Sequence, residues 1–182
     1  MKEDFKEAFQ EEARENLQEL ESALLMLNES SEDLELVSRA FRAPRQRIFD
    51  AWIKPEMLLK WRGPERWEVL EASSDPKPGG LHRVVVRGML PAQSPDDKPA
   101  EVTAASWGVY LDVDPYSLIR FTWNADWAPG EESVVTVRLS DAEDGGTLMD
   151  FTHDKFLTPQ SAGGHNQGWS SAFNKLKKFV EG

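Results

Sequence analysis

The feature that most constrains the fold is a run of strand-length segments that ends in one helix with an aromatic stripe. Between residues 67 and 153, apolar and polar residues alternate in segments separated by short turn sequences, a pattern typical of strands in an antiparallel sheet. A helix is predicted from about residue 164 to residue 180, because large apolar residues recur there at helical spacing. These residues are Trp169, Phe173, Leu176 and Val180. Such a helix has to bury its stripe, and a face of the sheet is the surface that it can cover.

The segment before these strands predicts one further strand and two short helices. The first strand is expected within residues 34–43, and Pro44 suits the first turn of the helix that follows. Pro55 begins a second helix, which Gly63-Pro64 ends. The predicted fold class is therefore α+β, in a helix-grip arrangement. A curved antiparallel sheet of six or seven strands surrounds a long C-terminal helix over residues 34–182.

Residues 1–33 differ from the rest of the chain in charge and pattern. They hold 3 basic and 11 acidic side chains, whereas residues 34–182 hold 18 and 21. Their apolar residues recur every three or four positions, which predicts an extra N-terminal amphipathic helix. The stripe comprises Phe5, Phe9, Ala13, Leu17, Leu20, Leu24 and Leu27. Because one helix cannot bury such a stripe alone, we expect it to pack on the following domain or to self-associate with a second copy.

The first 43 residues also carry a recognisable set of positions. These are Phe5, Phe9, Glu12-Ala13, Leu17, Leu20-Glu21, Ala23-Leu24-Leu25, Leu27, Asp33-Leu34-Glu35-Leu36 and Phe41-Arg42-Ala43. In these residues the segment resembles the opening of the histidine-phosphotransfer domain of chemotaxis-type kinases. In that family a phosphorylatable His follows, but here Pro44-Arg45-Gln46-Arg47 follows and no His precedes His82. Phosphotransfer is therefore not predicted. Chance similarity and a fusion event are both left open as the origin of this segment.

Composition excludes several classes of function. The chain has no cysteine, which excludes disulfides and thiolate metal sites, and its three histidines lack a metal-like spacing, so we expect no metal and no cofactor. A net charge of −11 without a basic patch argues against nucleic acid as a partner. No apolar run reaches the roughly 20 residues of a membrane span. With no signal-peptide pattern at the start of the sequence, a cytoplasmic location is expected.

The main domain contains a series of short motifs in a fixed order. They include Arg39-Ala40-Phe41-Arg42-Ala43-Pro44, Phe49-Asp50-Ala51-Trp52, Trp61-Arg62-Gly63-Pro64, Pro78-Gly79-Gly80, Phe121-Thr122-Trp123 and His165-Asn166-Gln167-Gly168-Trp169. In these motifs the domain resembles the Hsp90 ATPase activator homologues, within the START-like (SRPBCC) superfamily of helix-grip proteins. Two features depart from the family pattern. Arg62 stands where a second aromatic residue usually follows Trp61, and residues 89–102 are longer than the usual stretch.

The resemblance implies a deep pocket between the sheet and the C-terminal helix. Relatives bind lipids, polyketides or other apolar molecules, or act on a chaperone. The leading hypothesis is non-catalytic binding of an apolar, lipid- or polyketide-like small molecule. The alternatives are a module that activates a chaperone ATPase and a cyclase- or hydrolase-like enzyme that uses the same pocket. The scarcity of catalytic groups favours binding, and no catalytic residue is assigned.

The candidate ligand-binding residues follow from strand alternation and from the helical stripe. In the strand predicted over residues 103–113, alternation places Ala105, Trp107, Val109, Leu111 and Val113 on one face. The candidates facing the pocket are Trp107, Phe121, Trp123, Met149, Phe151, His153, Trp169 and Phe173. His153 is either an acid–base or ligand-orienting group or a hydrogen-bonded structural residue, and the structural role is favoured. His82 is expected at the surface, and His165 is expected to be a loop or capping residue where the helix starts, ahead of Gly168.

Overall fold

The structure is a computed structural model that describes residues 37–90, 92, 98–143 and 145–182. The predicted N-terminal helix, its partner surface and the proposed boundary at residue 33 lie outside these residues. Within the described part of the chain, no helix is both long enough and apolar enough to cross a membrane.

Seven antiparallel strands form one curved sheet. The strands are β1 (Val37–Phe41), β2 (Glu68–Ser74), β3 (Leu81–Leu90), β4 (Ala100–Asp114), β5 (Leu118–Ala125), β6 (Ser133–Asp141) and β7 (Thr147–Asp154). Their order across the sheet is β1-β7-β6-β5-β4-β3-β2. Strands β2 to β7 lie side by side in chain order, as is usual for consecutive strands joined by short turns. Strand β1 pairs with β7 and forms the edge opposite to β2. The sheet and the α+β helix-grip class are as the sequence predicts.

Three helices cover the hollow of the sheet. Helix α1 (Arg45–Ile53) and helix α2 (Pro55–Trp61) connect the two edge strands, and helix α3 (Pro159–Glu181) ends the chain. Helix α3 begins earlier than predicted. Its N-cap is Thr158, whose hydroxyl accepts the amide N–H of Ser161 at 3.2 Å. Pro159 at the first helical position suits this start.

Polar contacts fix both ends of α3 over the sheet. The Arg47 side chain of α1 donates to the carbonyls of Phe179 and Val180 at 3.0 and 2.7 Å, which satisfies acceptors that a helix C-terminus leaves free. The ammonium of Lys175 donates to carbonyls of the segment after α2, including that of Trp67 at 3.1 Å. Near the start of the helix, the buried Glu131 carboxylate accepts the amide N–H of Leu157.

The core lies between α3, the two short helices and the inner face of strands β1 and β4–β7. Buried aromatic side chains fill its centre, and their rings meet in tilted and edge-on pairs. The largest contributors are Phe41, Phe49, Trp52, Trp61, Phe121, Phe151, Trp169 and Phe173. Each such ring buries roughly 150–250 Å² of surface, so this cluster is the main force that holds α3 against the sheet.

A bulge in β4 overturns one predicted face. Tyr110 pairs with Phe121 and Asp112 with Arg120, so Leu111 has no partner across the strand pair. An extra residue of this kind reverses the alternation of side chains. Before the bulge the inward positions include Tyr110, and after it Val113 packs against the core. Trp107, predicted to face the pocket, lies on the outer surface instead and is 40% exposed.

Candidate functional site

A cavity of about 300 Å³ lies between α3 and the β3–β5 part of the sheet. The segment after α2 forms a third wall. The lining residues are Arg62, Gly63, Pro64, Trp67, Val84, Val86, Leu90, Ser106, Trp123, Trp127, Gly164, His165, Gly168, Trp169 and Ala172. Most of these side chains are apolar, and no Asp or Glu is among them.

Glycines of α3 make room on the helix side of the cavity. A Cβ atom built on Gly164 or Gly168 meets nothing within 4 Å, so the missing side chains leave open space. On the opposite wall, Val84 and Val86 present branched apolar side chains from β3, and Trp67 packs across Gly88. A Cβ on Gly88 would lie 2.2 Å from the Trp67 ring. The glycines therefore set both the width of the cavity and the position of one wall.

Arg62 is the one lining side chain with a permanent charge. It follows α2 and is only 4% exposed, and its guanidinium carbon lies 4.5 Å from the ring centre of Trp169 and 4.9 Å from that of Trp123. Trp52 and Trp61 complete the group of indoles around it. Burial lowers the pKa of Arg62 to about 9, so the guanidinium keeps its proton near neutral pH. Among the described residues, none makes a hydrogen bond or ion pair with this guanidinium.

His153 is locked into a hydrogen-bonded chain beneath the cavity wall. The Trp169 indole N–H donates to its Nδ1 at 3.0 Å, and its Nε2 lies 2.8 Å from the Ser133 hydroxyl. Because indole only donates, Nδ1 must be the acceptor and Nε2 the N–H of a neutral ring. Ser133 in turn donates to the Trp123 carbonyl at 3.3 Å. Burial, followed by repulsion from His165 and Arg62, lowers the pKa of His153 to about 2, which agrees with this neutral form.

The other two histidines are also structural. His165 lies inside α3 rather than before it, with its Nδ1 2.8 Å from the Ser161 carbonyl and the Trp127 indole N–H donating to its Nε2. His82 was expected at the surface, but it is buried and donates to the Thr122 carbonyl at 2.9 Å. Gly108 beside it leaves the space that the imidazole needs, because a Cβ there would lie 2.7 Å from Nε2. Within the described residues, no group of three His, Asp or Glu side chains could hold a metal ion.

Comparison with known proteins identifies the family. Residues 42–181 match the family described as "Activator of Hsp90 ATPase homolog 1-like protein". The chain belongs to this family. The match spans the two short helices, strands β2–β7 and α3, and so contains every wall of the cavity. A search of curated protein sequences finds no significant match.

Solved structures share the fold of this chain. The protein CV1439 from Chromobacterium violaceum superposes with a TM-score of 0.64 at 21% identity, covering 82% of this chain and 98% of that one. The AHSA1 protein SPO3351 from Silicibacter pomeroyi gives 0.65 at 21%, covering 80% and 95%. A protein from Rhizobium leguminosarum gives 0.60 at 27%, covering 81% and 93%. These likenesses support the helix-grip fold.

The structure brings together only some of the predicted site residues. Trp123 and Trp169 line the cavity. Phe121, Met149, Phe151 and Phe173 point inward as predicted but fill the core beside the cavity, together with Trp52 of α1. His153 lies behind the wall that Trp169 forms, and Trp107 lies on the outer surface. Strand alternation identifies the inward face, but it does not say which part of that face the connecting helices cover.

Several cavity residues were not among the candidates, and the sequence carried a signal for some of them. Arg62 stood out only as the departure from the aromatic residue that this family usually carries after Trp61. Gly164 and Gly168 lie at helical spacing within an otherwise apolar stripe, which marks a gap on the helix face. Val84 and Val86 alternate on a strand that was predicted without assigning its inner face. Each of these sequence signals points to the cavity only when the structure shows how the sheet, α3 and the segment after α2 enclose it.

Proposed function

We propose that this protein binds an apolar small molecule in the cavity between the sheet and α3, without catalysing a reaction on it. The observation that carries the proposal is the cavity of about 300 Å³, whose lining is indole, valine, leucine, proline and glycine with few polar groups. Pockets that bind small molecules have this character and begin at about this volume. Water takes up about 30 Å³ per molecule in the liquid, so the space suits a ligand of about ten non-hydrogen atoms.

The hydrogen bonds of the histidines support binding rather than catalysis. An acid–base group has to offer a nitrogen or oxygen to the substrate. His153 uses both ring nitrogens in bonds to Trp169 and Ser133, and His165 uses both in contacts with Ser161 and Trp127. The chaperone-activating alternative draws its support from the family description alone and stays a prediction. Stimulation of Hsp90 ATPase activity by the purified chain would support that alternative, and unchanged ATPase activity would remove it.

The binding proposal is tested by filling the cavity from the helix side. Gly168→Leu places a branched side chain in the open space, whereas Gly163→Leu makes the same change at an exposed helical position that does not line the cavity. Both changes replace a helical glycine by a better helix former, which favours the helix by less than about 1 kcal/mol in each case. They therefore differ mainly in the space that they occupy.

We expect apolar ligands of about ten non-hydrogen atoms to raise the melting temperature and change the tryptophan emission of the wild-type chain. A ligand present at 100 times its Kd adds about 2.7 kcal/mol to the free energy of unfolding. The response should persist in Gly163→Leu and disappear in Gly168→Leu. Equal responses in both variants, or no response of the wild type to a broad ligand panel, would overturn the proposal.

A further inference from the structure

The guanidinium of Arg62 is a buried cation whose hydrogen-bonding capacity the protein does not use. An arginine side chain carries five N–H donors. The side chain is 4% exposed and lines the cavity, yet its guanidinium has no hydrogen-bond acceptor and no carboxylate partner within the described part of the chain. A buried charge without a partner is costly. The best available partner for the Arg62 guanidinium is therefore a ligand that enters the cavity.

The indoles around Arg62 stabilise its charge without accepting its hydrogen bonds. Its guanidinium carbon lies between 4.5 and 5.5 Å from the ring centres of Trp52, Trp61, Trp123 and Trp169. Aromatic faces attract a cation through their quadrupole, but they offer no oxygen to the in-plane N–H fork. That fork matches the two oxygens of a carboxylate in geometry. The four indoles therefore stabilise the guanidinium in this position and leave its N–H donors available to an anionic group.

The charges around the cavity favour an anion with one negative charge. No acidic side chain lines the cavity, so an anion would meet no repulsion from its described walls. The nearby ammonium of Lys175 is already engaged by the carbonyls of Gly63, Pro64 and Trp67. Arg62 is thus the one cation of the described lining that is available to a ligand. A phosphate monoester would bring a second charge into the apolar cavity without a second partner.

We infer that the ligand is an apolar carboxylic acid whose carboxylate pairs with Arg62 while its hydrocarbon part occupies the space along α3 and β3. This inference rests on the apolar-ligand function proposed above. Arg62 serves as the specificity determinant: the indole and valine walls take any apolar body of suitable size, and the guanidinium selects the acid. The ligand class is therefore a monocarboxylate of about ten non-hydrogen atoms.

The test compares molecules that share a hydrocarbon chain and differ in the head group. Isothermal titration of the full chain at neutral pH uses octanoate, 1-octanol and octyl phosphate. Because a hydrogen-bonded charge pair is worth on the order of ten- to hundredfold in affinity, octanoate should bind tighter than 1-octanol by that factor. In Arg62→Met, which keeps an apolar side chain of similar length, octanoate should lose its advantage and bind no tighter than 1-octanol, because its carboxylate would be buried without a partner. Binding of 1-octanol should persist.

Each outcome separates the acid preference from the pocket itself. Equal affinities of the wild type for octanoate and 1-octanol would overturn the role of Arg62 and leave the apolar pocket standing. Tighter binding of octyl phosphate than of octanoate would overturn the choice of carboxylate. Binding of none of the three would overturn the pocket proposal as well. Arg62→Lys keeps the charge without the fork and should fall between wild type and Arg62→Met, so the inference does not depend on one variant.

Discussion

Replacing Trp169 by alanine is expected to lower the free energy of unfolding by about 3–5 kcal/mol, the usual cost of removing a large aromatic side chain from a core. Trp169 is buried at the centre of the aromatic cluster, with its ring centre 4.7 Å from that of Phe151 and 5.2 Å from that of Trp123. It also supplies the indole N–H that His153 accepts. Chemical unfolding followed by circular dichroism measures the loss.

Two variants separate the packing of Trp169 from its hydrogen bond. Trp169→Phe keeps an aromatic ring but leaves Nδ1 of the buried His153 without its donor, so we expect a loss of about 1–3 kcal/mol. Trp107→Ala removes the same kind of side chain from the outer face and should cost less than about 1 kcal/mol. A loss at Trp107 as large as that at Trp169 would contradict the buried position of Trp169 in α3 and the outward position of Trp107 in β4.

The second large effect is a loss of stability on mild acidification. Burial lowers the pKa of His82 to about 4 and that of His153 to about 2, each from 6.5. Near and below pH 6.5 these histidines therefore bind protons in the unfolded chain but not in the folded chain. The free energy of unfolding consequently decreases as the pH is lowered from 7 towards 5. Between pH 7 and pH 5, each histidine should remove about 2 kcal/mol from the free energy of unfolding.

Glutamine variants identify the two groups responsible. His82→Gln and His153→Gln retain an amide N–H that can donate, but they do not titrate between pH 7 and pH 5. Urea unfolding at the two pH values should show that each variant loses about 2 kcal/mol less than wild type over this interval. The variants are compared by this difference and not by stability at one pH, because each change also alters packing. An unchanged pH dependence in the double variant would contradict the assignment.

The sequence predicted the fold well because the fold depends on periodic patterns. The alternation of residues 118–123 and 147–153 survives as strands β5 and β7, and the stripe from Trp169 to Val180 survives as the buried face of α3. The prediction for β4 was wrong because Leu111 has no partner across the strand pair, so the side chains before and after it alternate in opposite senses. A bulge leaves no mark in an alternating sequence, so the outward position of Trp107 required the strand register.

The site was predicted less well because it depends on how three separate segments meet. Arg62 follows a short helix far from α3 in sequence, and nothing local indicates that its guanidinium lies among four indoles. Likewise, the partners that keep His153 neutral come from β6 and α3. The aromatic stripe predicted a hollow between the helix and the sheet, but it did not indicate which rings fill that hollow. Phe121 and Phe151 were expected to face a ligand, whereas in the structure Trp52 of α1 packs against both of them.

The most direct measurement is a crystal structure of the full chain with octanoate bound. The proposed function places the hydrocarbon chain between Gly168 of α3 and Val84 and Val86 of β3. The acid preference places both carboxylate oxygens within hydrogen-bonding distance of the Arg62 guanidinium. Octanoate bound only at the outer surface, or an octanoate complex in which α3 has left the hollow of the sheet, would contradict the binding site.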